Sequence, residues 1–108
     1  MSRYTLWAQN GRLKYTVPNT FTANDTEKLI EKLRHHKADL LHRLMTTQAE
    51  YILAINGTQA SYTDDYDLAL AIFDAILKHI GKLDEPQSVK LLRTSDDKLM
   101  RLAQFQRR

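Results

Sequence analysis

Three residues with metal-binding side chains recur at helical spacing: His35, Asp39 and His42. At positions i, i+4 and i+7 of a continuous helix, two imidazoles and a carboxylate share one face, and zinc or iron accepts such ligands. The same face lies opposite the leucine stripe of that helix, so a metal there would stand in bulk water without partners to orient its ligands. Ion pairs at i, i+4 explain the spacing without a metal. We therefore predict no metal and no other cofactor, and a metal-dependent enzyme is the remotest functional hypothesis.

A second group of carboxylates, Asp64, Asp65 and Asp67, has the composition of an acid–base site. Neighbouring helical residues point in different directions, and capping together with the helix dipole explains carboxylates at a helix N-terminus. The three glycines are isolated, so the chain has no glycine-rich phosphate loop. Because the chain has no cysteine, a disulfide, a thiolate zinc site and a cysteine nucleophile are excluded. We expect the protein not to be an enzyme.

A tryptophan among cations is the most suggestive binding pattern. Trp7 shares the outer face of a predicted hairpin with Arg12 and Lys14, and Arg3 is near in sequence. An aromatic ring can stack on a base while cations hold phosphates, and tryptophan is also a frequent anchor of protein interfaces. A contact with Lys14 across the strands, or a loop or helix that covers the indole, would explain the same pattern without a ligand. The predicted partner-binding or nucleic-acid-binding residues are Trp7, Arg12, Lys14 and Arg3.

The charge is unevenly distributed along the chain. The formal net charge is +3, with three basic and no acidic residues in 1–22 and six basic against three acidic residues in 85–108. Residues 58–84 carry five acidic against two basic groups. The segregation fits either a polyanionic partner or ends that fold back on the acidic middle.

From these observations we expect a non-enzymatic cytoplasmic interaction protein, an adaptor, regulator or inhibitor that binds another protein. The cytoplasm is expected because cysteine is lacking and the N-terminus has no apolar signal segment. The longest apolar stretch is too short and too charged to cross a membrane. The alternative is a small nucleic-acid-binding protein that uses the basic hairpin and the C-terminal residues Lys98, Arg101, Arg107 and Arg108.

The elements that must position these residues begin with a hairpin. Asn10-Gly11 between alternating runs predicts a type I′ turn and a hairpin over about residues 3–17, in which Trp7 faces Lys14. The inner face is predicted to be apolar: Tyr4, Leu6, Ala8, Leu13, Tyr15 and Val17. The outer face is predicted to be polar apart from the indole: Thr5, Trp7, Gln9, Arg12, Lys14 and Thr16.

A long amphipathic helix is predicted next, over about residues 25–55. Asn24 and Glu27 have the spacing of a capping box, and Asn56-Gly57 supplies a C-terminal stop. Such a helix would be about 45 Å long, which exceeds the dimensions of a domain of this size.

The alternative breaks that helix near residues 46–47. Residues 51–55 and 59–62 would then form a second hairpin around Asn56-Gly57. Periodicity over so short a run does not separate the two interpretations.

A central helix is predicted over about residues 64–80, between the cap at Thr63 and the stop at Gly81. Its apolar residues spread over more than half of its circumference, where a surface helix shows a stripe of about 100°. Either other elements of the chain sandwich this helix or a second copy completes it in a homodimer.

A short C-terminal helix is predicted over about residues 96–106, with Ser95 as its cap and Leu99, Leu102 and Phe105 on one face. The predicted fold class is therefore α+β and mostly helical, in a single domain over residues 1–108.

Overall fold

The computed structural model describes residues 4–80 and 87–105. Over these residues the fold is α+β, with three helices and six strands in two antiparallel sheets, so the prediction of a mostly helical protein is wrong. In chain order the described elements are β1 (Thr5–Gln9), β2 (Arg12–Thr16), α1 (Ala23–His35), α2 (Lys37–Thr46), β3 (Tyr51–Ile55), β4 (Thr58–Thr63), α3 (Tyr66–Ile80), β5 (Gln87–Arg93) and β6 (Lys98–Phe105).

The first hairpin is confirmed, including its register. Gln9 pairs with Arg12 and Trp7 with Lys14, as a two-residue turn requires. Asn10 and Gly11 have φ of 53° and 75°, the left-handed values of a type I′ turn.

The long helix over 25–55 is wrong. The helical backbone departs from regular geometry at His36, which has φ −115° and ψ 22°, and α2 ends at Thr46. The first helix also starts earlier than predicted, because Thr22 and Asp25 form the capping box, two residues before Asn24 and Glu27.

A second hairpin replaces the end of that helix. Tyr51–Ile55 and Thr58–Thr63 pair around Asn56 and Gly57, whose φ values are 52° and 82°. β3 lies between β4 and β5, and four of its successive residues are buried, as is typical of a strand with both faces covered. Apolar residues on both faces of a strand also fit the apolar stripe of a helix, so the sequence pattern is compatible with both interpretations.

The C-terminal helix over 96–106 is also wrong, because Lys98–Phe105 is a strand paired with β5. A bulge in the register between Leu91 and Leu92 adds a residue to β6. The bulge places Leu99 and Leu102 on one face although they are three residues apart. This spacing resembles a helical pattern, since an uninterrupted strand repeats every second residue.

The central helix is confirmed as α3, which starts at Tyr66, two residues after the predicted start. The four-stranded sheet has the order β4-β3-β5-β6, and α3 packs on its first three strands and on β1. The apolar arc of α3 is thus covered within the chain. The core is formed by Trp7, Leu53, Ile55, Ala60, Ala69, Ile72, Phe73, Ala75, Ile76, Ile80, Val89 and Leu91.

The two other helices lie beside the hairpin, because α2 packs on β4 and on both strands of the hairpin and α1 packs on α2. None of the described helices has the length and apolarity needed to cross a bilayer.

Candidate functional site

The structure places Trp7 in the core and not on an outer face. The indole is 1% exposed and meets the imidazole of His79 edge-on, with 5.9 Å between the ring centroids. Its Nε1 donates a hydrogen bond to Oε1 of Gln9 over 3.1 Å. Cover by a loop or helix is one of the explanations for this pattern, and α3 provides that cover. The ring is therefore not available to stack on a base while the fold is intact.

The other predicted binding residues are placed differently. Arg12 is exposed and Lys14 is partly buried on β2, and Arg3 lies outside the described residues. Sequence alternation assigned one covered face to the hairpin, whereas both faces of β1 are covered because α3 and α2 each pack on this strand. The cations of β2 thus remain a basic surface that lacks the aromatic ring expected beside them.

The three residues of the predicted metal pattern do not form one helical face, because the helix is interrupted at His36. His35 lies 3.8 Å from a carboxylate oxygen of Glu31, and Asp39 pairs with Arg43 over 3.3 Å. Within residues 4–80 and 87–105, no group of three histidine, aspartate or glutamate side chains is close enough to hold a metal ion.

The carboxylates at the start of α3 have structural partners. Oδ1 of Asp65 accepts the backbone N–H groups of Asp67 and Leu68, over 2.9 and 3.3 Å, which is the bonding of an N-cap. Oδ1 of Asp64 accepts the backbone N–H of Glu50 over 2.9 Å and thereby fixes the entry into β3. Asp65 rather than the predicted Thr63 therefore caps α3, while Asp64 connects the loop before α3 to the loop before β3.

A cleft of about 400 Å³ opens between α2, β1, β4 and the start of α3. Its apolar lining consists of Leu6, Leu40, Leu44, Leu68 and Ile72. The charged residues at its rim, Arg43 and Asp64, already bind Asp39 and the backbone of Glu50. The cleft has the size of a small-molecule site, but its charges already have partners within the chain.

An apolar row crosses the face of the sheet opposite α3. The register aligns one residue from each strand in the order Tyr62, Ile52, Leu92 and Leu99. Tyr62 is half-buried at one end of the row, and from Ile52 to the other end exposure rises from 9% to 44% at Leu99. The helix α2 packs on β4 at one end of the row, whereas α3 lies on the other face of the sheet.

The exposed end of this row forms the outer strip, which we define as Lys90, Leu92, Leu99 and Leu102. Lys90 faces Leu102 and Leu92 faces Leu99 across β5 and β6. Leu102 is 48% exposed, the largest value among the large hydrophobic residues described, and Met45 on α2 is 41% exposed. Two leucines side by side at such exposure distinguish this face from scattered single apolar residues.

The two strands also carry exposed cations: Lys90 within the outer strip, and Lys98 and Arg101 on the opposite face, where they pair with Arg93 and Leu91. Lys90, Lys98 and Arg101 are exposed, and none forms an ion pair in the described parts of the chain. Arg93 differs, because its guanidinium donates two hydrogen bonds to the carboxylate of Asp96, over 3.0 and 2.7 Å. These bonds hold the pKa of Asp96 below its ordinary value.

The β6 strand is also an edge of the sheet, because in the described residues it pairs with β5 alone. At the opposite end of the sheet, β1 packs beside β4, and Oγ of Ser61 donates a hydrogen bond to the carbonyl of Leu6 over 2.7 Å. An uncovered edge leaves backbone donors and acceptors available for another strand.

No known protein family, curated protein or solved structure matches this chain. The candidate site therefore rests on geometry. Sequence reasoning placed Leu99 and Leu102 on a C-terminal helix and missed the outer strip. Their shared face follows from the bulge in β6, and the exposure of that face follows from the position of α2.

Proposed function

We propose that this chain is a non-enzymatic, cytoplasmic protein-binding module that contacts its partner through the outer strip. The observation that carries the proposal is the pair of adjacent exposed leucines, Leu99 at 44% and Leu102 at 48%. Exposed apolar surface of this kind is typical of protein interfaces, where a few well-buried anchors supply most of the binding energy. The cytoplasm is part of the proposal because a cysteine-free chain suits a reducing compartment.

The character of the surface supports a protein over a nucleic acid. The outer strip contains three leucines and one cation, whereas nucleic-acid surfaces combine aromatic rings with many cations. Trp7 would have been the stacking residue of the basic hairpin, and it is buried. Arg12 and Lys14 remain the basis of the nucleic-acid alternative.

The test is a pull-down from native cytosol in nuclease-treated and untreated arms, followed by purification of the captured partner and calorimetry. The double variant Leu99→Ser/Leu102→Ser is compared with wild type. Met45→Ser is the matched control, because Met45 is similarly exposed but lies on α2. We expect the double variant to weaken binding at least tenfold, which corresponds to about 1.4 kcal/mol, and Met45→Ser to leave affinity unchanged.

Two outcomes contradict the proposal. Equal affinity of the double variant and the Met45→Ser control would show that the partner binds elsewhere. Recovery of nucleic acid in the untreated arm only, with loss of binding in Arg12→Ala/Lys14→Ala, would favour the alternative. Binding to single-stranded nucleic acid would then weaken with salt at a log–log slope of about −0.7 per phosphate.

A further inference from the structure

We infer that the partner of the outer strip is an extended acidic segment that adds to the open edge of β6 as a further antiparallel or parallel strand. This inference rests on the proposed function and adds the chemistry of the partner. An edge strand recognises an extended peptide through main-chain hydrogen bonds, while pockets and charges beside the edge select its side chains.

The available length of the edge is set by the bulge. Beyond the irregularity at Leu91 and Leu92, the register runs without a break from Arg101 to Phe105. A peptide that pairs with this segment has a neighbouring cation at Lys98 and an apolar contact at Leu99. The regular part is long enough for strand pairing, because natural strands are mostly five or six residues long.

The two faces of β6 determine which side chains a docked strand should present on each of its own faces. Arg101 faces Leu91 and lies on the side of α3, whereas Leu102 faces Lys90 on the outer strip. Opposed residues of paired strands lie on the same face, so a docked strand presents side chains to Arg101 and to Leu102 in turn. Acidic residues toward Arg101 and apolar residues toward Leu102 fit this surface best.

Charge complementarity identifies the partner as acidic. The exposed cations on β5 and β6 are Lys90, Lys98 and Arg101, without an ion pair in the described residues. The carboxylate of Asp96, in the turn between the two strands, is engaged by Arg93. Opposite charges across strands stabilise pairing, and like charges directly opposite destabilise it.

A second copy of this chain is the less favourable occupant. Pairing of β6 with β6 of another copy would bring Lys98 and Arg101 of both chains to one edge, with no acidic residue in either strand. Lysine and a bulge on an edge strand are features that oppose such self-pairing. With an acidic strand, the same cations are attracted to the carboxylates of the partner instead of repelling like charges.

The experiment uses the full chain and defined peptides, with affinity measured by fluorescence anisotropy. The probes are a labelled eight-residue peptide of alternating valine and glutamate, the same peptide with lysine for glutamate, and a peptide of four valines followed by four glutamates. We expect the alternating acidic peptide to bind at least tenfold more tightly than either comparison peptide. Amide chemical shifts should change along Lys98–Phe105.

The charge-reversed chain Lys98→Glu/Arg101→Glu should lose this preference and favour the lysine peptide. Lys28→Glu/Lys37→Glu is the matched control, because both lysines are exposed on α1 and α2. This control should behave as wild type.

Equal affinity for acidic and basic peptides, absence of peptide binding, or an unchanged preference after charge reversal would each overturn the inference. The proposed function is tested separately from this inference. If Leu99→Ser/Leu102→Ser still abolishes capture of the protein partner while acidic peptides fail to bind, the module binds proteins by another chemistry. If that variant has no effect, the proposed function itself fails.

Discussion

The edge of the Trp7 indole meets the imidazole of His79, with 5.9 Å between the ring centroids and 69° between the ring planes. The contact ties β1 to the last turn of α3 and makes the single tryptophan part of the core. An edge-to-face arrangement is favourable for aromatic pairs and adds to the free energy of burial.

Trp7→Ala should therefore act on stability. We expect a loss of about 3–5 kcal/mol in the free energy of unfolding, the range for removal of a large aromatic side chain from a core. Urea denaturation followed by circular dichroism measures it. Arg12→Ala, which removes an exposed side chain from the neighbouring strand β2, should change stability by less than about 0.5 kcal/mol. A Trp7→Ala protein as stable as wild type would contradict the burial of the indole.

A buried and an exposed leucine of the same sheet should differ strongly in the stability lost when each is replaced by alanine. Leu53 is 0% exposed and Leu99 is 44% exposed, on β3 and β6. Leu53→Ala should cost about 2–5 kcal/mol because it leaves a cavity, and Leu99→Ala less than about 1 kcal/mol. Thermal unfolding of both variants provides the comparison. Similar losses would mean that Leu99 is buried in solution, which would remove the basis of the outer strip.

The two Asn-Gly turns should not be equivalent. Asn56 Nδ2 donates to Oε1 of Gln87, and its Oδ1 accepts the backbone N–H of Ser88, both over 2.8 Å. Asn10 has the same left-handed conformation, with φ 53°, and serves as the matched control. Asn56→Ala should destabilise by about 1–3 kcal/mol more than Asn10→Ala, because it breaks these bonds and leaves polar groups unpaired. Equal losses in urea denaturation would show that these bonds do not contribute.

The titration of Asp96 should reveal its ion pair. Hydrogen bonds from Arg93 lower the pKa of Asp96 from its ordinary value of 3.8. A depressed pKa in the folded state adds stability that is present above the unfolded pKa and is lost as pH falls through the folded pKa. The carboxyl ¹³C shift should give a midpoint below 3.8 in wild type. Arg93→Gln should return the midpoint toward that value, and an unchanged midpoint would contradict the pairing.

Local turn chemistry made part of the fold predictable. Asn10-Gly11 predicts the first hairpin and its register, because Asn-Gly between alternating strands favours the two left-handed residues that a type I′ turn requires. The core helix was likewise predictable from its wide apolar arc. Both features depend on neighbours in sequence.

The wrong predictions concern segments whose secondary structure or burial is determined by tertiary contacts. The apolar residues of β3 continue the stripe of the preceding helices, and only the pairing with β5 shows that Tyr51–Ile55 is extended. In β6 one inserted residue converts a strand period into the spacing of a helix. The burial of Trp7 and the exposure of Leu102 depend on which helix covers which face, and no local pattern encodes that choice.

The cations of β2 and β6 have a consequence for behaviour at high concentration. Each of these strands pairs with only one neighbour in the described residues, and each carries basic residues and no acidic ones. Fibrils in which folded molecules join through these two strands, β6 of one molecule to β2 or β6 of the next, would form against electrostatic repulsion. Fibril growth through these two strands should therefore be opposed at low ionic strength, and this opposition should weaken as added salt screens the repulsion.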